Sequence, residues 1–257
     1  MTQPLAYIHP DAKLAATVIV EPFSMIYENV EIGDGTWIGS NVTIFPGARI
    51  GKNCRIFPGA VISAIPQDLK FAGENTLAII GDGTTIRECA TINRGTIDRQ
   101  KTVIGKNCLI MAYCHVAHDC WIGDNVIMSN AVQMAGHITI GDFAIIGGTA
   151  AIHQFVKIGA HTMISGGSLV RKDVPPYIKS GREPLSYAGT NSVGLRRRGF
   201  TDNQINQIQE IYRYIYLKGL NNSDALSVIE LEIPASAERD EIVNFVRSSE
   251  RGIIKGP

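Results

Sequence analysis

The sequence has no excess of either charge and no apolar run long enough to cross a membrane. Its 257 residues carry 24 Lys and Arg against 24 Asp and Glu, so the formal net charge is zero. A chain of this kind lacks the basic footprint of a general nucleic-acid or membrane-surface binder. It also lacks the run of about 20 apolar residues that a membrane span needs. The segment 1–9 has no basic region followed by a long apolar stretch, so we expect no signal peptide and a cytoplasmic location.

What the chain has in abundance is a six-residue apolar repeat. From Ile8 to Val170 every sixth residue is Ile, Leu, Val or Met, except at Asp68, Glu74 and Asp98. Glycine often follows the apolar residue, which indicates a short extended side and then a tight turn. A period of six fits neither an α-helix nor an alternating strand, but three such sides make one coil of triangular section. The sequence therefore predicts a parallel β-helix with the apolar phase inside.

Cysteine is scarce, and its placement argues against a disulfide or metal framework. The chain has five cysteines. Four of them stand four places after the apolar residue, where a small side chain fits the crowded interior of a corner; these are Cys54, Cys108, Cys114 and Cys120. Cys89 lies one place off this position. A lone thiol without a partner is weak evidence for a nucleophile, so we assign it no role.

Two segments interrupt the repeat and one segment ends it. Residues 63–79 and 94–103 suspend the apolar phase, and we interpret them as loops extruded from the prism. Loops on a rigid scaffold often carry function, although insertions at a surface are also simply tolerated. The repeat stops near Pro175 and Pro176, because two prolines cannot extend a strand ladder. We therefore assign residues 1–184 to the β-helix.

Residues 185–257 are predicted to form a small α-helical domain. Thr201 and Gln204 have capping-box spacing, apolar residues follow at helical intervals, and Gly219 is a stop signal. A second helix is predicted to begin near Ser223 and a third to span 236–248. Each has an apolar stripe, so we expect the helices to pack against the end of the prism.

The chemistry is predicted to lie on a face of histidines. His118, His137 and His153 belong to repeats on three adjacent coils, at places where side chains tend toward the turn or the surface, and His115 precedes the first. A neutral imidazole can remove a proton from a hydroxyl at cellular pH, and Asp119 could orient it. Three imidazoles could instead bind zinc, as in the carbonic anhydrases built on this prism.

Specific stretches then carry a close resemblance over essentially the whole chain. They are QDLKFAGE at 67–74, IRECATINRGT at 86–96, AHDC at 117–120, AGH at 135–137, GDFAIIGG at 141–148, HQF at 153–155, DVPPY at 173–177 and GLRRRGF at 194–200. Together they resemble the UDP-N-acetylglucosamine 3-O-acyltransferases, which catalyse the first step of lipid A biosynthesis. The resemblance implies a mainly β fold, a left-handed parallel β-helix with a small C-terminal helical domain, assembled as a homotrimer. Zinc is disfavoured because the carbonic anhydrases pair histidines five residues apart, whereas His115 and His118 are three apart.

The resemblance also implies a reaction and a role for each matching residue. A (3R)-3-hydroxyacyl chain would pass from acyl carrier protein to the 3-hydroxyl of UDP-N-acetylglucosamine, with no cofactor beyond the carrier's phosphopantetheine and no metal. His118 would be the general base, Asp119 would support it, and the backbone N–H of Gly136 would face the oxyanion. The matching substrate-binding residues are Asp68, Lys70, His115, His137, His153, Gln154, Gly166, Asn191, Arg197 and Arg198.

Four positions shape the expected specificity. Gly166 stands where the family sets acyl length, and the missing side chain leaves room for a long chain. The run that contains Arg197 and Arg198 is either a solvated cluster at the start of a helix or a pyrophosphate site, and the family context favours the second. Asn93 stands where relatives often carry histidine, so any contact with substrate at this position would be made by a neutral amide. Val193 replaces a frequent glutamate near the nucleotide, which affects nucleotide affinity or sugar specificity.

Competing functions predict different features. The later N-acyltransferase of the same pathway normally has a separate N-terminal domain, for which a repeat starting at Ile8 leaves no room. An acetyl-CoA-dependent transferase would not predict the 67–74 and 194–200 stretches. A noncatalytic scaffold leaves the histidine face unexplained, and it predicts that His118→Ala keeps full function.

Overall fold

The backbone winds as a left-handed parallel β-helix whose three faces are three parallel sheets. A computed structural model describes residues 4–257, so the first three residues of the predicted domain 1–184 lie outside it. Strands and helices are numbered in chain order. Successive strands of one coil belong to three different sheets, and each strand pairs with its counterpart one coil away.

The first sheet, called sheet B, carries the histidine face. Its nine strands in spatial order are β1 (Tyr7–Ile8), β4 (Met25–Ile26), β7 (Thr43–Ile44), β10 (Val61–Ala64), β13 (Thr91–Asn93), β16 (His115–Val116), β19 (Gln133–Met134), β22 (Ala151–Ile152) and β25 (Leu169–Val170).

The second sheet, called sheet C, forms the next face. Its eight strands are β2 (Lys13–Leu14), β5 (Glu31–Ile32), β8 (Ala48–Ile50), β11 (Leu77–Ile80), β14 (Lys101–Ile104), β17 (Trp121–Ile122), β20 (Thr139–Ile140) and β23 (Lys157–Ile158).

The third sheet, called sheet A, closes the prism. From the N-terminal end its strands are β3 (Ile19–Val20), β6 (Trp37–Ile38), β9 (Arg55–Ile56), β12 (Thr85–Ile86), β15 (Leu109–Ile110), β18 (Ile127–Met128), β21 (Ile145–Ile146), β24 (Met163–Ile164), β26 (Ile178–Gly181) and β27 (Ser186–Thr190). Among the strands of residues 4–257, only β26 and β27 pair antiparallel, and the sequence had not predicted this hairpin.

The apolar phase of the repeat forms the core of the prism. Ile26 pairs with Ile44, and Ile44 with Ile62, so equivalent side chains stack from coil to coil, and all three are fully buried. Burying one such side chain contributes about 1.5–3 kcal/mol. The repeat therefore works as a continuous aliphatic stack along the axis of the coil.

The tight corners explain the glycines and asparagines of the repeat. A Cβ placed on Gly81 would lie 2.6 Å from the carbonyl carbon of Gly105 on the next coil, so the coils can stack there only without a side chain. Asn53 and Asn107 adopt φ of 54° and 53° at equivalent turns. Asparagine tolerates this left-handed conformation better than most residues because its short amide can bond locally.

The interior cysteines are inert, as the repeat predicted. Cys54, Cys108, Cys114 and Cys120 are buried and Cys89 is exposed. Burial raises the pKa of Cys108 to about 11 and that of Cys120 to about 12. These thiols are protonated at neutral pH and cannot act as nucleophiles.

Two loops leave the prism on the side of sheet B. The first loop (residues 65–76) lies between β10 and β11, and the second loop (residues 94–100) lies between β13 and β14. The loops are joined at their bases, where Thr76 Oγ1 donates a hydrogen bond to the carbonyl of Gly95 at 2.6 Å. Arg94 Nη1 also donates to the carbonyl of Pro46 and its guanidinium lies over the ring of Phe71.

Four helices follow the prism. They are α1 (Ser192–Arg197), α2 (Asp202–Leu217), α3 (Asn222–Glu232) and α4 (Ala237–Arg247). The capping box of Thr201 and Gln204 is confirmed, and the third predicted helix is confirmed with Ser236 as its N-cap. The short helix α1 was not predicted. Tyr212 of α2 is fully buried and donates a hydrogen bond to the carbonyl of Pro176, which fastens the helices to the end of the prism.

Among residues 4–257, no helix combines the length and the apolar character that crossing a bilayer would require.

Candidate active site

Three neighbouring strands of sheet B carry the predicted histidine face. Strands β16, β19 and β22 pair in register, so the residues that follow them stack at one corner of the prism. His153 is exposed there, but His118 and His137 are only 7% and 8% exposed. The prediction placed these side chains toward the turn or the surface; His118 and His137 lie at the turn but are covered there. The reason is the second loop, which folds over this corner.

The second loop encloses Asp119. Asp119 is fully buried at φ 59°. Its Oδ1 accepts from the backbone N–H of Thr96 at 3.0 Å and from that of Arg99 at 3.3 Å, and its Oδ2 accepts from Thr96 Oγ1 at 2.6 Å. Its own N–H donates to Thr102 Oγ1. Burial acts to raise the pKa of Asp119, but the bonds from Thr96 and His118 outweigh it and hold that pKa below its usual range.

The carboxylate orients His118. His118 Nδ1 lies 2.8 Å from Asp119 Oδ2. An ionised carboxylate only accepts hydrogen bonds, so the ring proton sits on Nδ1 and Nε2 keeps its lone pair. Nε2 lies 4.0 Å from Asp68 Oδ2, a residue of the first loop. The His118 nitrogen that can accept a proton, Nε2, therefore lies between the prism and the first loop.

Gly136 provides the space that the His118 ring occupies. A Cβ at position 136 would lie 2.6 Å from His118 Cε1 and 2.8 Å from Nε2. The carbonyl of Gly136 accepts from the N–H of Phe155. Its own N–H donates to no other backbone carbonyl in residues 4–257. A free N–H beside the ring of a base is the arrangement that an oxyanion site needs.

A groove of about 670 Å³ opens over these groups. Its walls are Gln67, Asp68, Leu69, Lys70, His115, Ala117, His118, Met134, Ala135, Gly136 and Gln154. Six of these were predicted: Asp68, Lys70, His115, His118, Gly136 and Gln154. Sequence reasoning missed Leu69, whose side chain is fully exposed at the tip of the first loop. An isolated leucine between charged neighbours in an extruded loop was the available signal.

His115 forms part of the floor of the groove. Its Nδ1 lies 2.7 Å from Thr91 Oγ1 on the neighbouring strand. Burial, and then the charge of His118, lower the pKa of His115. The ring is therefore held neutral beside the base, where a second positive charge would oppose protonation of His118.

His137 lies behind the groove instead of lining it. Its ring stacks on Phe155 at 4.7 Å and meets the His118 ring edge-on at 5.1 Å. Nε2 lies 3.7 Å from Asp119 Oδ2, and Nδ1 lies 3.1 Å from Asp98 Oδ2 but out of line for a hydrogen bond. Burial is the main reason that the pKa of His137 is lowered.

The same cluster contains the chain's candidate metal ligands. Within residues 4–257, His118, Asp119 and His137 form a group whose ligand atoms lie within 4.8 Å of one another. This is two imidazoles and a carboxylate, whereas the zinc alternative needed three imidazoles. Thr96 and His118 already bond Asp119 Oδ2, so a cation would have to displace them. The donor set fits proton transfer better than coordination.

His153 lies in an adjoining groove. This second groove is lined by Gln133, Met134, Ala135, Ala151, Ile152, His153, Leu169, Val170 and Arg171. It shares Met134 and Ala135 with the first groove, so the two are continuous along sheet B. The structure therefore brings His153 to the same face as His118, two coils further along.

The predicted nucleotide-binding residues lie at another corner. Asn191 is the N-cap of α1 and donates from Nδ2 to the carbonyl of His161. Arg198 Nη2 donates to the carbonyl of Phe143, while its Nη1 is buried without a hydrogen-bond partner. Arg197 is exposed on α1. None of the three lines the grooves of sheet B within one chain.

The two departures from the family pattern have different structural meanings. Asn93 is 2% exposed and donates from Nδ2 to the carbonyl of Ile65, so it anchors the base of the first loop. The Asn93 amide is therefore used to hold the first loop. Val193 is exposed on α1. Gly166 lies one coil from Gly148, whose carbonyl oxygen would be 3.1 Å from a Cβ at 166.

Comparisons with known proteins agree with this architecture. Residues 173–254 match the family model described as UDP-N-acetylglucosamine O-acyltransferase, domain 2, and residues 29–64 and 101–134 match the bacterial transferase hexapeptide model. The chain is 41% identical to the acyl-[acyl-carrier-protein]–UDP-N-acetylglucosamine O-acyltransferase of Thiobacillus denitrificans and 44% identical to that of Trichlorobacter lovleyi, covering 98% of both chains each time. It resembles the crystal structure of a UDP-N-acetylglucosamine acyltransferase from Bacteroides fragilis, with a TM-score of 0.98 at 53% identity over 99% of this chain and 100% of the other. For the Francisella novicida enzyme the TM-score is 0.97 at 40% identity, over 100% and 95%.

Proposed function

Because this chain belongs to the UDP-N-acetylglucosamine O-acyltransferase family, we propose that it joins a (3R)-3-hydroxyacyl chain to the 3-hydroxyl of UDP-N-acetylglucosamine. The donor is the thioester of an acyl carrier protein, and the reaction is the first step of lipid A biosynthesis. The observation that carries the mechanism is the buried pair of His118 and Asp119 beside a groove. The proposal places this reaction in the cytoplasm.

His118 acts as the general base in this proposal. Its Nε2 takes the proton from the sugar 3-hydroxyl while the oxygen attacks the thioester carbonyl carbon. The imidazolium that forms keeps its Nδ1–H on Asp119, 2.8 Å away. Because Asp119 is buried and fully ionised, it stabilises that positive charge without taking the proton.

Gly136 completes the reaction centre. The carbonyl oxygen becomes an oxyanion as the new C–O bond forms, and the N–H of Gly136 stabilises it; such contacts are worth about 2.7–4 kcal/mol. The tetrahedral intermediate then breaks its C–S bond. The leaving thiolate of the phosphopantetheine arm recovers the proton from His118, which restores the base. No covalent enzyme intermediate is needed, in agreement with the inert interior cysteines.

A homotrimer brings the second corner of the molecule into the site. Asn191, Arg197 and Arg198 lie away from the groove of their own chain, so they reach a substrate only from a neighbouring prism. Burial lowers the pKa of Arg198, whose Nη1 has no partner, and no carboxylate pairs with it in residues 4–257. An unpaired, half-buried guanidinium suits the diphosphate of the nucleotide. If the protein sediments as a monomer, the proposal of a site between subunits is refuted.

The test is acyl transfer from a panel of 3-hydroxyacyl carrier proteins to UDP-N-acetylglucosamine, with products identified by mass. Wild type is run beside His118→Ala and beside His9→Ala, a histidine on the first coil as a matched control. We expect 3-O-acyl product, a loss of about 10²–10⁴-fold in His118→Ala, and near-normal activity in His9→Ala. Wild type without transfer, or full activity in His118→Ala, refutes the proposal. The alternatives are then an acceptor sugar that carries a 3-amino group in place of the 3-hydroxyl, or a noncatalytic scaffold.

A further inference from the structure

The C-terminal segment reaches the substrate face of the prism through Arg251. After α4 the chain runs back across the last coil, where the N–H of Asp173 donates to the carbonyl of Gly252 and the N–H of Ile254 donates to the carbonyl of Asp173. Ser249 Oγ donates to Asp173 Oδ2 at 2.7 Å. Asp173 is almost completely buried. The segment is therefore fixed by its backbone and by Ser249, independently of the Arg251 side chain.

Fixed in this way, Arg251 points its guanidinium at His153. Arg251 Nη2 lies 3.1 Å from His153 Nδ1. His153 Nδ1 also lies 3.1 Å from the carbonyl oxygen of Gln154. No carboxylate in residues 4–257 forms an ion pair with Arg251, so its charge is not used elsewhere in the described chain.

Arg251 and the carbonyl of Gln154 require opposite protonation states of His153 Nδ1. A guanidinium has only donors, so it can bond Nδ1 only where Nδ1 carries a lone pair. A carbonyl has only lone pairs, so it can bond Nδ1 only where Nδ1 carries the proton. A neutral imidazole has one proton for its two nitrogens. Whichever neighbour binds Nδ1 therefore also decides whether Nε2 is a donor or an acceptor.

The stronger neighbour is the guanidinium. Hydrogen bonds from a charged donor are about twice as strong as those between neutral groups. With Arg251 in place, Nδ1 accepts and Nε2 carries the proton. Without it, Nδ1–H turns to the carbonyl of Gln154 and Nε2 becomes an acceptor.

We propose that Arg251 is a positioning residue that sets the tautomer of His153, so that the groove presents an Nε2–H donor to a phosphate oxygen of a substrate. This rests on the proposed function, because both substrates of that reaction carry phosphate. One is the diphosphate of the nucleotide sugar and the other is the phosphodiester of the carrier's phosphopantetheine arm. Their shared chemistry is an anionic oxygen that only accepts hydrogen bonds.

The first measurement reads the tautomer directly and needs no turnover. Full-length protein labelled with ¹⁵N in its histidine rings is compared as wild type, Arg251→Gln and Arg251→Lys, and the His153 signals are assigned by their loss in His153→Asn. We expect Nε2–H in wild type and in Arg251→Lys, which keeps a charged donor, and Nδ1–H in Arg251→Gln. An unchanged tautomer in Arg251→Gln overturns the inference.

The second measurement asks which substrate uses the donor. KM and kcat are measured with each substrate varied in turn. We expect Arg251→Gln to raise KM about tenfold for one substrate with kcat within about threefold of wild type, and Arg251→Lys to restore most of it. A rise for UDP-N-acetylglucosamine identifies the diphosphate, and a rise for the acyl carrier protein identifies the phosphodiester. Unchanged KM for both substrates overturns the inference.

Two controls separate this role from mere docking of the segment. Ser249→Ala removes the bond to Asp173 but keeps Arg251, so it measures the effect of looser docking. Arg247→Ala removes an arginine that pairs with Glu230 on α3, away from the groove. If Ser249→Ala reproduces the KM change of Arg251→Gln without changing the tautomer, the inference is wrong. A wild-type enzyme without acyl transfer refutes the proposed function instead, and leaves the tautomer result standing.

Discussion

His118 Nδ1 lies 2.8 Å from Asp119 Oδ2, although the two residues are adjacent in the chain. Neighbouring residues of a strand point to opposite faces, so this contact needs a turn. Asp119 adopts φ 59° at the corner, which brings its carboxylate back beside the histidine ring. The second loop then closes over Asp119 and supplies the bonds that keep it ionised. The pair is thus a product of the corner and the loop together.

Removing the Thr96 hydroxyl tests how the loop controls Asp119. The pKa of Asp119 is depressed, so its contribution to stability is present above the unfolded value of about 3.9 and is lost as pH falls through the lower folded value. We expect Thr96→Val to raise that pKa and to lower the free energy of unfolding at pH 7 by about 1–3 kcal/mol. Denaturant unfolding at neutral and acidic pH measures this. Thr139→Val on sheet C is the control, and an equal loss at both pH values for Thr96→Val would contradict the assignment.

Gly136→Ala tests the space beside the base. The new methyl would lie within 2.8 Å of two ring atoms of His118, so the ring must move from its position over Asp119. We expect kcat to fall by about 10²-fold or more, because a base displaced by 1 Å loses its geometry. The melting temperature should change little, since the ring faces a groove. Kinetics with saturating substrates check this, and retained activity would show that Gly136 is not constrained by His118.

Gly166→Met tests acyl-length selection. A Cβ at 166 would lie 3.1 Å from the carbonyl oxygen of Gly148, and residue 166 is exposed at this corner. We expect the preference to shift toward shorter 3-hydroxyacyl chains. Competition among donors, with products resolved by mass, measures a ratio that is insensitive to partial unfolding. An unchanged product ratio removes Gly166 from the length determinant.

Ile110→Ala tests the aliphatic stack. Ile110 is fully buried and pairs in register with Ile86 on one side and Met128 on the other. Truncation leaves a cavity between coils that cannot collapse, and we expect a loss of about 2–5 kcal/mol in the free energy of unfolding. Ile19→Ala, at a residue 41% exposed on the same sheet, should cost far less. Equal losses in the two variants would mean that the stack is not what holds the coils together.

The six-residue period was sufficient to predict the scaffold and the stacking of the site. Once Val116, Met134 and Ile152 are assigned to the inside of successive coils, the residues after them share a corner, and the pairing of β16, β19 and β22 agrees. This works because each repeat contacts mainly its neighbours, so position along the chain converts directly into position in space. The cap of α2 was predictable for a similar reason, since Thr201 and Gln204 bond locally.

The rest depended on contacts between residues far apart in sequence. Nothing local shows that Thr96 closes over Asp119, that Asn93 holds the first loop instead of a substrate, or that Arg251 returns to His153. The sequence by itself determined the coil, its core and the face on which the histidines lie, because these follow from a repeated short-range pattern. Only the tertiary structure decided which of those histidines is buried and which is oriented by a carboxylate, because loops set both properties and the repeat does not describe the paths of loops.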